Sequence, residues 1–548
     1  MKKLTAILLT VLMLLSALAV FSACGEEKVE VEPGPLGRYT PAVRVTYTLP
    51  FIGGYEASAL DKMGYSVDET PWTEQIKNDL GVKLINEWAV TDNSAYLAKL
   101  VSSITIGRIP DIVNLLYGED YAYAYAKSLH ENDLTLDIKD LIADYASDKL
   151  KESIEVAGEE IFYPASFDGG IYAMPQITLG AAARETVWWI RKDWLDAVGK
   201  KAPTDWDSLV DVLTAFRNSD PDGNGEEDTY GLATALNSEH YDRMLFGSLG
   251  AYPYMWRDDG SGNLVYGSVQ PEMKQALAKI ADLYARGLIY EDLTGMSYTA
   301  FMDNKAGMIR GTTLYIKAFE NLCKREGVEF LPLKAFSLTE KNGIAVLQGD
   351  SNAFRFWVVA KTCKYPEVLI KLFNHYIETA EAAKEDEELY NKLFTDVAGL
   401  SPVTTSWLKS DGSMGNNDLI EAIEQRDNSS LRTASDKMLY DNVLKYLDGG
   451  DRAFYSDYLV YGKGGSNEAF YTYDFDDNFT VNKYCYSKTL TMIDKEAALH
   501  ALEYEYFAGI IIGEKTVDEF DIFVTEWKKQ GGDQITAEVN EWYHSVNA

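Results

Sequence analysis

The 548-residue chain is short of cysteine, histidine and positive charge, and each shortage narrows its chemistry. Its four cysteines are Cys24, Cys323, Cys363 and Cys485. Their spacing is too long and irregular for a disulfide framework, and there is no CxxC pair to form a zinc or dithiol centre. None of the five histidines (130, 240, 375, 500 and 544) is paired at metal-ligand spacing. P-loop, HExxH and GxSxG sequences are absent, and Gly462-Lys463-Gly464-Gly465-Ser466 lacks the remaining glycine of a dinucleotide fingerprint, so it reads as a surface turn. Lys and Arg number 51 against 85 Asp and Glu, a formal charge of −34. Such a surface repels phosphate backbones, which excludes nucleic acid as the main partner and disfavours direct adhesion to anionic lipid. With 41 Gly and 15 Pro the chain is not of low complexity, while 46% hydrophobic and 25% charged residues match an ordinary globular protein. The length allows three or four domains or two large lobes.

Long hydrophobic runs are also missing, with one exception. Lys2 and Lys3 precede an apolar run over residues 4–21 that ends in small residues, the layout of a secretory signal over residues 1–23. Phe21-Ser22-Ala23-Cys24 resembles a bacterial lipobox, which makes Cys24 the lipidated mature N-terminus. Residues 24–40, acidic and rich in breakers, read as a flexible leash. No later segment is apolar enough to span a bilayer, so the rest is expected outside the cell, tethered to the membrane by lipid.

Strand and helix patterns alternate. Residues 43–48, 82–88 and 109–115 read as strands, with a helix capped by Thr70 opening at Pro71 and ending before Gly81, and another over 96–104. Further strands are expected at 170–175, 186–191 and 353–360. Helices are expected at 192–196, 205–216 (capped by Thr204), 271–286, 366–379, 494–507, 517–530 and 535–544. This alternation indicates parallel β-α-β units and an α/β fold class. No fixed-period repeat occurs.

Gly107-Arg108-Ile109-Pro110-Asp111-Ile112-Val113, Ile190-Arg191-Lys192-Asp193-Trp194-Leu195 and the 520–532 ending, together with the lipobox, resemble family 1 extracellular solute-binding proteins of bacterial ABC importers, in their large LplA-like lipoprotein branch. The resemblance implies a two-lobed, periplasmic-binding-protein-like fold of type II with a cleft between lobes joined by hinge crossovers. One lobe would hold residues 41–175 plus 350–400, and the other 176–349 plus 401–548 with a helical tail. It also implies a monomer on the outer face of the cytoplasmic membrane that captures a carbohydrate and delivers it to permease subunits.

Asp220-Pro221-Asp222-Gly223-Asn224-Gly225-Glu226-Glu227-Asp228 has oxygen side chains at positions 1, 3, 5 and 9 and Gly at 6, the calcium-loop pattern, with Glu226 offering its carbonyl. Position 12 is Gly231 instead of Glu, so the loop is not a complete EF-hand. The large solute-binding proteins carry a similar loop as a structural calcium site. The alternative is a solvated Asp/Asn/Gly turn.

Aromatics are abundant: 36 Tyr, 21 Phe and 11 Trp. Aromatic faces cover the C–H face of a sugar while polar groups bind its hydroxyl rim. The resemblance nominates Tyr117 and Asp120, after the Pro-Asp-Ile strand, and Trp256, Tyr315 and Trp357. Neighbouring polar and aromatic residues add His240, Tyr241 and Arg310. Of the pair Trp188 and Trp189, strand alternation lets at most one face a cleft, and Trp189 is the one nominated. Two other readings stay open: a secreted carbohydrate-active enzyme with paired carboxylates, and a receptor for a peptide or other non-sugar ligand.

Overall fold

The structure is a computed structural model. It describes residues 29–546 apart from 50–53, 67–68, 89, 91, 118, 179–185, 236–241, 294–296, 341–342, 344, 350–352, 384–385, 396, 406–415, 432–433, 474–476 and 485–487. Cys24, His240, Tyr241 and Cys485 therefore lie outside the described residues, and so does the signal segment.

Two sheets organise the chain. Their strands, in chain order, are β1 (Val43–Tyr47), β2 (Val82–Asn86), β3 (Ile112–Tyr117), β4 (Met174–Ile177), β5 (Val187–Arg191), β6 (Tyr230–Ala233), β7 (Ala306–Gly311), β8 (Phe330–Leu333) and β9 (Ala353–Val359). The first sheet has the order β2-β1-β3-β9-β4 and the second β6-β7-β5-β8. In the first, β1 pairs in parallel with β2 and β3, whereas β9 is antiparallel to both β3 and β4. In the second, β6 and β7 are parallel and β5 runs antiparallel to β7 and β8. The expectation of simple parallel units thus holds for the local β-α-β segments only. Strand β9 arrives from the other sheet, and a strand so delivered is not bound by the geometry of a local crossover.

Each sheet has its own core. One gathers apolar side chains between Tyr39 and Ile177 and then between Phe356 and Val403. The other gathers Val187 to Leu347 and Tyr455 to Val539. This is the two-lobed α/β arrangement expected. The expected structural tryptophans behave accordingly: Trp72, Trp194 and Trp527 are buried, and Trp206 and Trp542 pack half-buried against the second core.

Local signals explain most boundaries. The helix Pro71–Leu80 starts in a capping box, Thr70 accepting from Thr73 N while Thr73 Oγ1 accepts from Thr70 N. The helix Trp206–Asn218 is capped by Asp205, not Thr204: Asp205 Oδ1 accepts from Ser208 N at 2.9 Å, and a carboxylate outcompetes a hydroxyl one residue too early to reach that amide. Gly531, at φ 140°, breaks the run between the helices Glu519–Trp527 and Asp533–Val546 as its pattern suggests.

The leash is shorter than its composition implies. Glu30–Val31 pairs with Tyr39–Thr40, and the intervening turn is pinned to the first lobe by Lys371 Nζ donating to Gly37 O (2.6 Å) and Asn374 Nδ2 to Pro35 O (3.1 Å). Cys323 and Cys363 are free thiols, and burial pushes both up to about 12, so neither is a reactive thiolate near neutral pH.

Candidate functional site

The register of the strands defines where the two sheets meet. Strand β4 leaves the first sheet at Ile177, opposite Ala353, the first residue of β9. Strand β3 ends at Tyr117, opposite Arg355. In the second sheet, β5 begins at Val187 after the return crossing, opposite Gly311 at the end of β7, and Leu333 at the end of β8 faces Trp188. Gly349 belongs to a short strand, Leu347–Gly349, whose Leu347 lies in the second core. Four Cα steps separate it from Ala353, so the start of β9 lies within about 14 Å of the second lobe. The carboxyl ends of β1, β3, β6, β7 and β8 therefore all point toward the crossovers, the place where open α/β sheets bind ligands.

At the second lobe's end, Arg310 is half-buried and Gly311 follows it. The chain then turns so that the Tyr315 ring lies on Gly311: a Cβ there would meet Tyr315 Cδ1 at 2.2 Å, so no larger residue fits. Tyr315 N donates to Thr312 O (3.0 Å), and burial raises the Tyr315 phenol, opposed by the nearby Arg310 charge. After β6, Asp242 caps the helix Arg243–Ser248 through Met244 N (3.2 Å) and Leu245 N (3.0 Å) and accepts from Thr234 Oγ1 (2.9 Å). This clamp sits directly after His240 and Tyr241.

The nominated residues divide on this map. Tyr117, Arg310 and Tyr315 stand at crossover ends, and Asp120 in the first turn of the helix Glu119–Glu131 follows one of them; the side chains of Tyr117 and Asp120 lie outside the described set. Three tryptophans do not belong there. Trp357 is buried, its Nε1 donating to Pro402 O (3.0 Å) and its ring edge-on to Phe373. Trp189 is fully enclosed, with Nε1 bonded to Thr312 O (3.1 Å), so it braces the turn carrying Tyr315. Its neighbour Trp188 is buried too, as is every residue of β5, so both faces of the strand are covered and alternation brings neither ring to solvent. Trp256 is buried between Tyr266 and Tyr484. A ring enclosed in a core has no face left to stack on a sugar. Arg355, not nominated, is a residue the sequence did signal: it is a lone charge in the apolar run Ala353–Val359.

A hollow of about 530 Å³ lies elsewhere, on the first lobe between the helices Lys139–Tyr145 and Asp148–Ala157, and it includes none of these residues.

The acidic loop joins the helix Trp206–Asn218 to β6. Asp220 accepts from Asn224 N (3.1 Å) and Gly225 N (3.0 Å), and Asn224 Nδ2 donates to both Asp222 and Asp228 at 3.1 Å. Gly225 has φ 83°, a conformation that favours glycine and allows the sharp turn. Asn304, far away in sequence, donates to Asp222 Oδ2 (3.0 Å) and is itself held by Arg191. Burial, aided by Asp220 and Asp228, holds the Asp222 carboxyl above its ordinary range. Thr229 is not a ligand candidate, because it is buried and its hydroxyl closes the loop's neck on Phe216 O (2.7 Å). The hard oxygen donors converging on Asn224 fit the class of group that calcium takes. Among the described residues, however, no three acidic, His or Cys side chains are drawn to metal-ligand geometry.

The family model of bacterial extracellular solute-binding proteins matches residues 74–411. The chain belongs to that family. It is a family of binding proteins, not enzymes, which removes the carbohydrate-active enzyme reading. This solute-binding protein is 25% identical over 321 residues to the fructooligosaccharide ABC transporter substrate-binding protein FusA of Streptococcus pneumoniae, covering 56% of each chain. It is 26% identical over 217 residues to the polygalacturonan/rhamnogalacturonan-binding protein YtcQ of Bacillus subtilis, covering 39% of this chain and 41% of that one. The chain thus spans about half the length of the curated relatives it matches. Among solved structures, an HMO-binding solute-binding protein from Bifidobacterium longum infantis shares the fold at TM-score 0.58 and 17% identity, over 92% of this chain and 98% of that one. So does a FusA structure described as an EF-hand mutant in complex with fructo-nystose, at TM-score 0.56 and 18% identity, over 92% and 99%.

Proposed function

We propose that this solute-binding protein is the lipid-anchored extracellular receptor of an ABC importer, and that it captures an oligosaccharide in the crevice between its lobes for delivery to permease subunits. The observation that carries this reading is the meeting of the carboxyl ends of both sheets at the crossovers, with Arg310, Tyr315 and Tyr117 there. The fructooligosaccharide named for FusA and the polygalacturonan and rhamnogalacturonan named for YtcQ support the sugar class. Residues 41–175 plus 350–400 form one lobe and 176–349 plus 401–548 the other, hinged at the crossings. Ligand need only favour the closed arrangement to drive closure. Cys24 carries the anchor, and the protein acts as a monomer.

The acidic loop holds a structural calcium ion through Asp220, Asp222, Asn224 and Asp228 side chains and the Glu226 carbonyl. Such an ion would neutralise clustered carboxylates and fix the connection into β6. The bonds converging on Asn224 and the EF-hand named for FusA support this.

A thermal-shift screen against plant and host oligosaccharides tests the function. At least one is expected to raise the melting temperature, as any ligand bound only by the folded state must. Stabilisation by peptides or polyamines but by no sugar would overturn the sugar assignment.

A further inference from the structure

Beside its main core, each lobe carries a small satellite core, and the two satellites touch. The first gathers Ala59, Leu60, Trp72, Leu393, Val397 and Leu400, and Tyr376 packs against both it and the first lobe's core. Trp72 lies at the start of the helix Pro71–Leu80, which connects the carboxyl end of β1 to the beginning of β2, and its Nε1 donates to Leu393 O (3.1 Å). This satellite therefore stands on the crevice side of its sheet. The second gathers Leu419, Ile423, Tyr440 and Val443, and Tyr458 and Tyr461 pack against both it and the second lobe's core. Asp457 ties it to the crevice from the other side: it accepts from Asn442 Nδ2 (3.1 Å) and from Lys317 Nζ (2.6 Å), and Lys317 is two residues past Tyr315.

Where the satellites meet, Lys437 Nζ donates to Glu387 Oε2 at 2.8 Å. Lys437 belongs to the helix Ala434–Gly449, five residues before Asn442, and Glu387 opens the helix Glu387–Tyr390, six residues before Leu393. The ion pair thus joins one lobe to the other. Its surroundings are acidic on both sides. Asp386 and Glu388 flank Glu387 and are exposed, and Asp436 precedes Lys437, close enough to Tyr390 for its charge to add to burial in raising that phenol. Acidic residues outnumber basic ones in both lobes. Without the lysine, the two rims would meet with like charges and repel. Both members of the pair are partly exposed, at 41% and 44%, which limits its effect on an equilibrium to about fivefold.

Resting on the two-lobed receptor reading above, we infer that the Glu387–Lys437 pair is an electrostatic latch, which favours the closed arrangement of the lobes before any ligand arrives. A pair that bridges the crevice is lost when the lobes part, so it stabilises only the arrangement that brings them together. A ligand that closes the crevice then starts from a population already biased toward the state it binds, and its apparent affinity rises by up to the same factor.

Small-angle scattering of the unliganded full chain tests the latch. Lys437→Gln should raise the radius of gyration, moving the closed-to-open ratio by up to about fivefold. Glu387→Gln should move it less, because Asp386 and Glu388 remain to attract Lys437. Lys437→Glu should open the crevice furthest, and adding Glu387→Lys to it should reverse most of that opening. Melting temperature checks that each variant is folded; if Lys437→Glu does not fold, the two glutamine variants decide. An unchanged or smaller radius of gyration in Lys437→Gln overturns the latch, and so does a Glu387→Lys change that fails to reverse Lys437→Glu. None of these outcomes needs a ligand. The receptor reading stands or falls on its own thermal-shift screen, and scattering decides the latch either way.

Discussion

Arg355 and Trp357 are two residues apart on one strand, and simple alternation would give them the same face and the same fate. Trp357 is 1% exposed, bonded through Nε1 to Pro402 O, whereas Arg355 stays half-open at the crossover end. The bulge between them breaks the alternation. In the second lobe, Arg310 and Trp189 repeat the contrast on adjacent strands, the arginine at the rim and the ring enclosed beneath it. Interior strand positions carry the bulk that holds each lobe together, and the last residues before the crossovers carry side chains that stay partly exposed. Aromatic residue type alone does not distinguish the two.

Four measurements would break or sharpen that contrast. Trp357→Ala should cost about 3–5 kcal/mol by denaturant unfolding, since it empties a large buried volume and strands the Pro402 carbonyl; a loss below about 1 kcal/mol would mean the ring is not core. Burial deep in the second lobe gives a second large effect. Glu503 is fully buried, accepting from Ser268 Oγ (2.8 Å) and Tyr266 Oη (3.2 Å), and desolvation pushes its carboxyl up to about 8. The folded state then holds a proton that the unfolded chain has released, so this group lowers stability as pH rises from its ordinary range to about 8, with no further loss above. Glu503→Gln should flatten that slope in melting temperature between pH 5 and about 8, and an unchanged slope would refute the buried acid. Calcium at 100 times its dissociation constant should stabilise the chain by about 2.7 kcal/mol, and Asp222→Ala should abolish the effect; calorimetry showing no calcium binding to the unaltered chain would sink the site. The smallest effect belongs to the Tyr163 ring, which meets Trp542 of the other lobe edge-on at 5.6 Å. Tyr163→Ala should cost about 0.5–1.5 kcal/mol of that contact, and small-angle scattering should report a shifted balance between open and closed forms.

Much of the fold was legible because it is written locally. Thr70 with Pro71, the glycines after helices, the alternation at 43–48 and the strand pattern at 186–191 each specify an element within a few residues, and those elements stand where expected. The Thr204 cap failed by one residue because two adjacent residues could each cap and only the helix geometry selects between them. The leash failed because residues 35 and 37 are held by Lys371 and Asn374, more than 300 positions away. The candidate site was legible only as a matter of position: Tyr117, Arg310 and Tyr315 lie at or just after strand ends, while Trp189, Trp256 and Trp357 were named for their residue type and are buried in the cores.

By itself, the sequence determined the class of molecule: an acidic two-lobed α/β solute-binding protein with a lipobox-like start and a calcium-loop-like connector. These depend on composition, periodicity and short motifs, which are properties of neighbouring residues. Only the tertiary structure decided that β9 crosses back to complete the first sheet, that Asn304 reaches the acidic loop, and that Arg310 pairs with Trp188 and Arg355 with Tyr117 at the ends of their sheets. Those pairings join residues tens to hundreds of positions apart, and burial and register, which no local pattern encodes, set which side chains are enclosed and which stay partly exposed.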